Sequence, residues 1–140
     1  MDRDIAAERA ADRADALAEV VRIDVAHVAD LEADGVPVRL YRPEEDVPVL
    51  LYVHGGGWVF HDIETHDAFC RYLANATGWA LLSVDYRRAP EAPYPAPLDD
   101  VATRAVEAAT RTDKHPARVV VELSLTRRAS CGCLPDGPRP

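Results

Sequence analysis

Apolar residues recur along the chain with two different periods, and each period predicts a different kind of element. Over residues 4–23 alanine, leucine and valine return every three to four positions among charged residues, which predicts an amphipathic surface helix. A second helical pattern, which Gly78 can cap, has one apolar face: Ala68, Phe69, Tyr72, Leu73 and Ala76. A third predicted helix has Asp99 and Asp100 in its positive first turn and an apolar face of Leu98, Val101, Ala102, Ala105, Val106 and Ala109.

Shorter apolar runs predict the strands. Residues 27–33 and 36–41 flank Asp34-Gly35, a dipeptide that favours the type I′ turn of a two-residue hairpin. Pro37 has no backbone donor, so we expect it to lie toward a sheet edge. Three more runs, at 49–53, 80–86 and 119–121, are apolar on both faces and predict buried parallel strands joined through helices. The fold class is therefore α/β, a mostly parallel sheet with an N-terminal antiparallel hairpin.

Three glycines follow the run at 49–53 without a break. Gly55, Gly56 and Gly57 allow the backbone to turn sharply at the carboxyl end of a strand, where open α/β sheets bind their ligands. Successive N–H groups of such a turn can point into a cleft and hold a negatively charged oxygen. The stretch predicts an oxyanion hole.

Three stretches of sequence carry a resemblance to a known family. The chain reads His-Gly-Gly-Gly-Trp at 54–58, Val-Asp-Tyr-Arg-Arg-Ala-Pro-Glu at 84–91 and Pro-Tyr-Pro-Ala-Pro-Leu-Asp-Asp at 93–100. From residue 34 to residue 121 it resembles the hormone-sensitive-lipase-like carboxylesterases of the α/β-hydrolase fold, with Arg88 where that family usually has leucine.

The resemblance implies a set of roles for the glycine motif. Gly56 and Gly57 would donate N–H bonds to the oxyanion, Gly55 would let the loop reach it, and His54 would support the loop without carrying a proton. It also implies a small acyl-ester substrate, a serine acyl-enzyme and no cofactor. Acyl length, alcohol and oligomeric state are left open.

The family's nucleophile motif, G-x-S-x-G, is expected directly after the strand at 119–121. Residues 122–130 instead read Glu-Leu-Ser-Leu-Thr-Arg-Arg-Ala-Ser, and Ser124 between two leucines is interpreted as an ordinary polar residue, as is Ser83 inside a strand. The acid and the base follow the nucleophile in chain order in this family. The sequence thus predicts a partial α/β-hydrolase, truncated before the nucleophile elbow, with nucleophile, acid and base absent and no esterase turnover.

The predicted organisation is a helical cap segment at 1–26, a partial hydrolase domain at 27–121 and a disordered or frameshifted tail at 122–140. We place the hypothetical frameshift between the codons of Val121 and Leu125, which reading the gene in its other frames would test. An exposed apolar edge at 117–123 predicts poor solubility. Two alternatives stay open: a non-catalytic remnant that binds a small acyl ligand or a partner subunit, and a degraded gene product without function.

Charge and targeting signals narrow the functional classes. Sixteen basic and 24 acidic residues give a net charge of -8, which disfavours nucleic acid and anionic membranes as partners. The charged N-terminus lacks the apolar core of a signal peptide and no stretch has the length of a membrane span, so a cytoplasmic location is predicted.

Histidine and cysteine spacing argues against a metal. His61 and His66 lie five residues apart, which does not place two imidazoles on one helix face beside Asp62 and Glu64. The Cys-Gly-Cys at 131–133 has no second pair to complete a tetrahedral site. Three cysteines are an odd number, and Cys70 is predicted to be a small core residue.

Overall fold

The computed structural model describes residues 4–18 and 20–105. Its elements, in chain order, are α1 (Ile5–Leu17), β1 (His27–Ala33), β2 (Val36–Arg42), β3 (Val49–Val53), α2 (Ile63–Thr77), β4 (Ala80–Val84), α3 (Ala96–Asp99) and a π-helical turn at Asp100–Ala105. The predicted strand at 119–121 and the tail at 122–140 lie outside the described residues.

The four described strands form one mixed sheet in the order β1-β2-β4-β3. β2 pairs antiparallel with β1 and with β4, whereas β3 and β4 are parallel and are joined through α2. This confirms an α/β fold with an N-terminal hairpin. β3, predicted as a buried strand, lies at the edge of the described sheet and is only half-buried, while every residue of β4 is buried.

The hairpin turn is confirmed in detail, but the expectation for Pro37 is wrong. Asp34 and Gly35 both have positive φ, 51° and 82°, as a type I′ turn requires. β2 is an interior strand, so Pro37 does not lie at a sheet edge. The proline is tolerated because the pairing of β2 with β4 ends at Val38, the residue after Pro37. The Pro37 carbonyl accepts from the Asp85 N–H at 2.9 Å.

Apolar side chains cover both faces of the sheet. On one face α2 packs against the strands through a fully buried cluster of Tyr41, Cys70, Ala74 and Leu81. The other face carries the second cluster, with Val101 packed against it: Ala33, Val36, Val38, Leu82, Val84 and Tyr86. Cys70 is a core residue, as predicted, and burial raises the pKa of its thiol to about 12.

The ends of α2 follow the sequence signals, but only part of its predicted apolar face, Leu73, packs against the core. Gly78 ends the helix with φ 70°, and Asp62 and Thr65 form a capping box at its start. The face turned to the sheet consists of Ile63, Asp67, Cys70 and Ala74, while Phe69 and Tyr72 are 49% and 61% exposed. The apolar pattern misplaces the face because it assigns Asp67 to solvent, whereas arginines neutralise this carboxylate inside the protein.

The first helix is shorter than predicted and docks through polar side chains. α1 ends at Leu17 and contains no buried residue, so the predicted apolar face of alanines is exposed. Its hydrogen bonds to the body run through Arg9 and Arg13, which reach residues 49 to 82 positions away. Val21, predicted on the helix face, lies beyond the helix and is 81% exposed.

The third predicted helix also departs from expectation. α3 has four residues and continues into the π-helical turn, with Leu98 exposed. Asp99 and Asp100 each lie in a first helical turn, as predicted. Asp100 is also fully buried and accepts hydrogen bonds from the backbone and guanidinium of Arg87 at 2.7–3.1 Å. The predicted continuation to Ala109 lies outside the described residues.

Candidate active site

The glycine motif forms a tight turn directly after β3. Gly56 and Gly57 have φ of 122° and 61°, and Trp58 continues the left-handed conformation at 65°. The carbonyl of Gly56 accepts from the N–H groups of Val59 at 3.1 Å and Phe60 at 2.9 Å, which closes the turn on itself. The chain therefore reverses within a few residues at the carboxyl end of a strand.

The three glycines are not equivalent. A Cβ on Gly56 would lie 2.1 Å from the Phe60 carbonyl oxygen, whereas Gly55 and Gly57 have no atom within 4 Å of an added Cβ. Gly55 does not have positive φ, so neither strain nor crowding requires a glycine there. In residues 4–18 and 20–105, no protein acceptor binds the N–H of Gly56 or of Gly57.

His54 is held between the glycine turn and Tyr86, two residues beyond the end of β4. The side chain is 3% exposed, its ring stacks on Tyr86 with centroids 4.2 Å apart, and its Nδ1 lies 2.8 Å from the Gly55 carbonyl oxygen. Tyr86 Oη donates to the His54 carbonyl at 2.9 Å. Burial lowers the pKa of His54 to about 4, so the ring is neutral at pH 7.

The buried His54 predicts a pH dependence of stability. The unfolded histidine titrates near 6.5 and the folded one near 4, so between these values the unfolded state binds more protons. The free energy of unfolding carries no penalty from His54 above pH 6.5. It falls as the pH drops toward 4, by at most about 3 kcal/mol from this group. Burial likewise lowers the pKa of His66 and adds to the loss, while burial raises the pKa of Asp85, which opposes it.

Urea unfolding between pH 7 and pH 4 checks this expectation. The slope of unfolding free energy against pH should be shallower in His54→Gln than in the unsubstituted chain, because glutamine does not titrate. Carboxylates with lowered pKa, such as those of Asp62 and Asp67, are present in both proteins, so their contribution cancels in the comparison. Identical slopes in the two proteins would show that His54 is not buried as a neutral ring.

A second segment, residues 85–91, holds the glycine turn from the other side. The Ala89 N–H donates to the Trp58 carbonyl at 2.9 Å, and the Arg88 guanidinium donates to the His61 carbonyl. The Trp58 ring packs against Tyr86 with centroids 4.9 Å apart. Arg88, the position where the sequence departs from the family pattern, therefore contacts the chain that leaves the glycine turn.

Three histidines lie near the turn without forming a metal centre. The rings of His54 and His61 lie 5.5 Å and 5.2 Å from that of His66, and Asp62 is occupied by an ion pair with Arg13 at 2.6 Å. In the part of the chain that the structure describes, no group of three or more potential ligands is arranged to hold a metal ion. Within the same ranges, no helix combines the length and apolar character needed to span a bilayer.

The remaining residues considered from sequence do not join this site. Ser83 is fully buried within β4. Ser124, Cys131 and Cys133 fall outside the described residues. Sequence reasoning found the glycine turn and His54 through their motif, but assigned no role to Tyr86, Arg88 or Arg9, which contact the turn in the structure.

Curated proteins with similar sequences carry esterase names. Carboxylic ester hydrolase LipN of Mycobacterium tuberculosis is 42% identical over 108 residues, which are 71% of this chain and 28% of that protein. Versiconal hemiacetal acetate esterase of Aspergillus parasiticus is 40% identical over 90 residues, 62% of this chain and 29% of the relative. The chain thus spans less than a third of the length of these relatives.

Solved structures with similar folds are also esterases. An esterase from the bacterial hormone-sensitive lipase family matches with a TM-score of 0.73 at 29% identity, covering 85% of this chain and 40% of that one. An esterase of Pyrobaculum calidifontis matches with a TM-score of 0.66 at 37% identity, covering 71% and 35%. A family model described as the alpha/beta hydrolase fold matches residues 50–122, more than half of the chain. The chain therefore belongs to the alpha/beta hydrolase fold family, in its hormone-sensitive-lipase-like carboxylesterase branch.

Proposed function

We propose that this chain supplies the oxyanion-hole part of a carboxylic ester hydrolase that acts on small acyl esters. The observation that carries the proposal is the pair of N–H groups on Gly56 and Gly57, which have no acceptor among the described residues and lie in a turn held on both sides. Backbone donors that are fixed in advance stabilise charge without reorganising during the reaction.

In the proposed reaction a serine attacks the ester carbonyl, and its oxygen becomes the oxyanion of a tetrahedral intermediate. The N–H groups of Gly56 and Gly57 donate to this oxygen, and one such donor is worth about 3 kcal/mol of transition-state stabilisation. His54 supports the turn as a neutral ring through Gly55 and Tyr86, and does not move protons.

The nucleophile has no counterpart in the 140 residues, because none of the serines stands in a G-x-S-x-G pattern. We propose that the chain by itself has no esterase turnover, and that residues 27–121 belong to the hydrolase domain while residues 1–26 form a helical cap segment. The relatives' esterase names support the reaction class, and the coverage of less than a third of their length leaves the other catalytic groups to parts that this sequence does not match.

A chimera tests the proposal. Carboxylesterase NlhH of Mycobacterium tuberculosis is 44% identical to this chain over 92 residues, and its matching segment would be replaced by that of this chain. We expect the chimera to hydrolyse p-nitrophenyl butyrate, and Gly56→Ala in the chimera to lower kcat by about 100-fold or more. Gly55→Ala is the matched control, since its added methyl contacts nothing.

Two outcomes would contradict the proposal. Full activity of the Gly56→Ala chimera would remove the oxyanion role from this turn. Hydrolysis of the same ester by the purified 140-residue chain, above the rate in buffer, would show that it contains a nucleophile of its own. A folded but inactive chimera would favour the alternative of a non-catalytic remnant.

A further inference from the structure

Arg9 of α1 crosses to the glycine turn and binds it directly. Its Nε donates to the carbonyl of Val59 at 2.8 Å, and its Nη2 donates to the carbonyl of Ala89 at 2.8 Å. The outer edge of the guanidinium pairs with the Glu91 carboxylate at 2.9 Å and 3.0 Å. A single side chain thus joins α1, the glycine turn and the segment at 85–91.

These bonds close a ring of hydrogen bonds around the turn. The Trp58 carbonyl accepts from the Ala89 N–H at 2.9 Å, and the next carbonyl along the chain, that of Val59, accepts from Arg9, which also binds the Ala89 carbonyl. Two successive peptide planes after Gly57 are therefore fixed from outside the turn. The Val59 N–H also donates to the Gly56 carbonyl, which shares its peptide plane with the Gly57 N–H, so fixing these planes constrains the Gly57 donor. The Gly56 N–H lies in the next plane, that of the Gly55 carbonyl, which is held by His54 Nδ1 at 2.8 Å.

We propose that Arg9 is a positioning residue for the oxyanion hole: it holds the glycine turn in the conformation that aims the N–H groups of Gly56 and Gly57 at the substrate oxygen. This inference rests on the function proposed above. The planar fork of arginine suits the task, because it presents several donors in a fixed geometry to separate acceptors.

The ion pair with Glu91 does not explain the arrangement by itself. The Glu91 side chain is 59% exposed, and exposed ion pairs contribute little to stability. The side chain of Arg9 is only 19% exposed, and its bonds to two backbone carbonyls are the contacts that constrain the turn. Arg9 therefore acts on the turn through the carbonyls, and Glu91 orients the guanidinium.

Amide hydrogen exchange of the full 140-residue chain, followed residue by residue with NMR, tests the inference. In Arg9→Gln we expect the Val59, Phe60 and Ala89 amides to exchange about tenfold faster, while the β4 amides at 81–84 keep their protection. Arg13→Gln is the matched control, because it cuts another ion pair of α1, to Asp62, without touching these carbonyls. Glu91→Gln should change the three amides by less than Arg9→Gln does.

A second readout follows the donors themselves. Sodium butyrate, whose carboxylate oxygen stands in for the oxyanion, should shift the amide resonances of Gly56 and Gly57 in the unsubstituted chain and shift them less in Arg9→Gln. Exchange and butyrate shifts that are unchanged in Arg9→Gln, or that change as much in Arg13→Gln, would overturn the role of Arg9. If butyrate does not shift the amide resonances of Gly56 and Gly57 in the unsubstituted chain, the proposed oxyanion hole is contradicted. Faster amide exchange in Arg9→Gln would in that case still show that Arg9 holds the turn.

Discussion

Replacing Asp67 with asparagine should lower the free energy of unfolding by about 3–5 kcal/mol, since it breaks a buried ion pair from one side. The Asp67 side chain is 1% exposed and accepts from Tyr41 Oη at 2.9 Å and from Arg71 Nε at 2.7 Å. Arg39 and Arg22 bind the same carboxylate at 3.1 Å and 2.9 Å. Asparagine keeps the shape of the side chain but removes the negative charge that the guanidinium groups of Arg22, Arg39 and Arg71 share.

The direction of the Asp67 pKa supports this expectation. Burial acts to raise the pKa of Asp67, but the hydrogen bonds from Arg71, Tyr41 and Arg39 outweigh it, and the pKa lies below its usual range. The carboxylate is therefore charged in the folded protein at neutral pH, and the substitution removes a charge that the structure uses to join β2, α2 and the segment after α1.

Urea unfolding of Asp67→Asn beside Asp30→Asn measures the effect. Asp30 also pairs with Arg39, at 2.5 Å, but its side chain is 72% exposed, so we expect its loss to cost less than about 1 kcal/mol. Equal destabilisation by the two substitutions would mean that burial of Asp67 adds nothing. A small effect in both would mean that the arginines find other acceptors.

Gly56→Ala should destabilise the chain by about 4 kcal/mol and displace the glycine turn. Two costs add, because φ of 122° is a region that residues with a Cβ rarely adopt, and because the new Cβ would lie 2.1 Å from the Phe60 carbonyl oxygen. That oxygen belongs to the backbone of the same turn, so it cannot move away without breaking the bonds that the Gly56 carbonyl accepts.

The neighbouring glycines serve as graded controls for this prediction. Gly57→Ala adds a methyl in open space at φ 61°, so we expect a cost of about 1 kcal/mol from the left-handed conformation alone. Gly55→Ala meets neither strain nor contact and should change stability by less than about 0.5 kcal/mol. Urea unfolding of the three variants checks the order, and any order in which Gly56→Ala is not the most damaging contradicts the turn geometry.

Elements with local signals were predictable from the sequence. The Asp34-Gly35 turn and the Gly78 cap follow from backbone preferences of a few adjacent residues, and the structure confirms both. The four described strands begin where predicted, but the strand predicted at 80–86 ends at Val84. Helix faces were not predictable in the same way. The buried face of α2 includes Asp67 and the docking face of α1 includes Arg9, so hydrophobic periodicity alone did not locate the face that each helix turns to the body.

In the candidate site, too, the sequence predicted the local features and not the contacts between distant segments. His54 and the three glycines stand in one continuous motif, so the sequence by itself identifies a strand that ends in a turn able to expose N–H groups. Which glycine tolerates no side chain, the stacking of Tyr86 on His54, and the bonds from Arg9 and Ala89 to the turn were decided by tertiary structure. The crowding at Gly56 depends on the backbone angles of the turn itself, which place the Phe60 carbonyl against it. The other contacts join segments about 30 to 80 residues apart, and a polar side chain reveals its partner only when folding brings the two together.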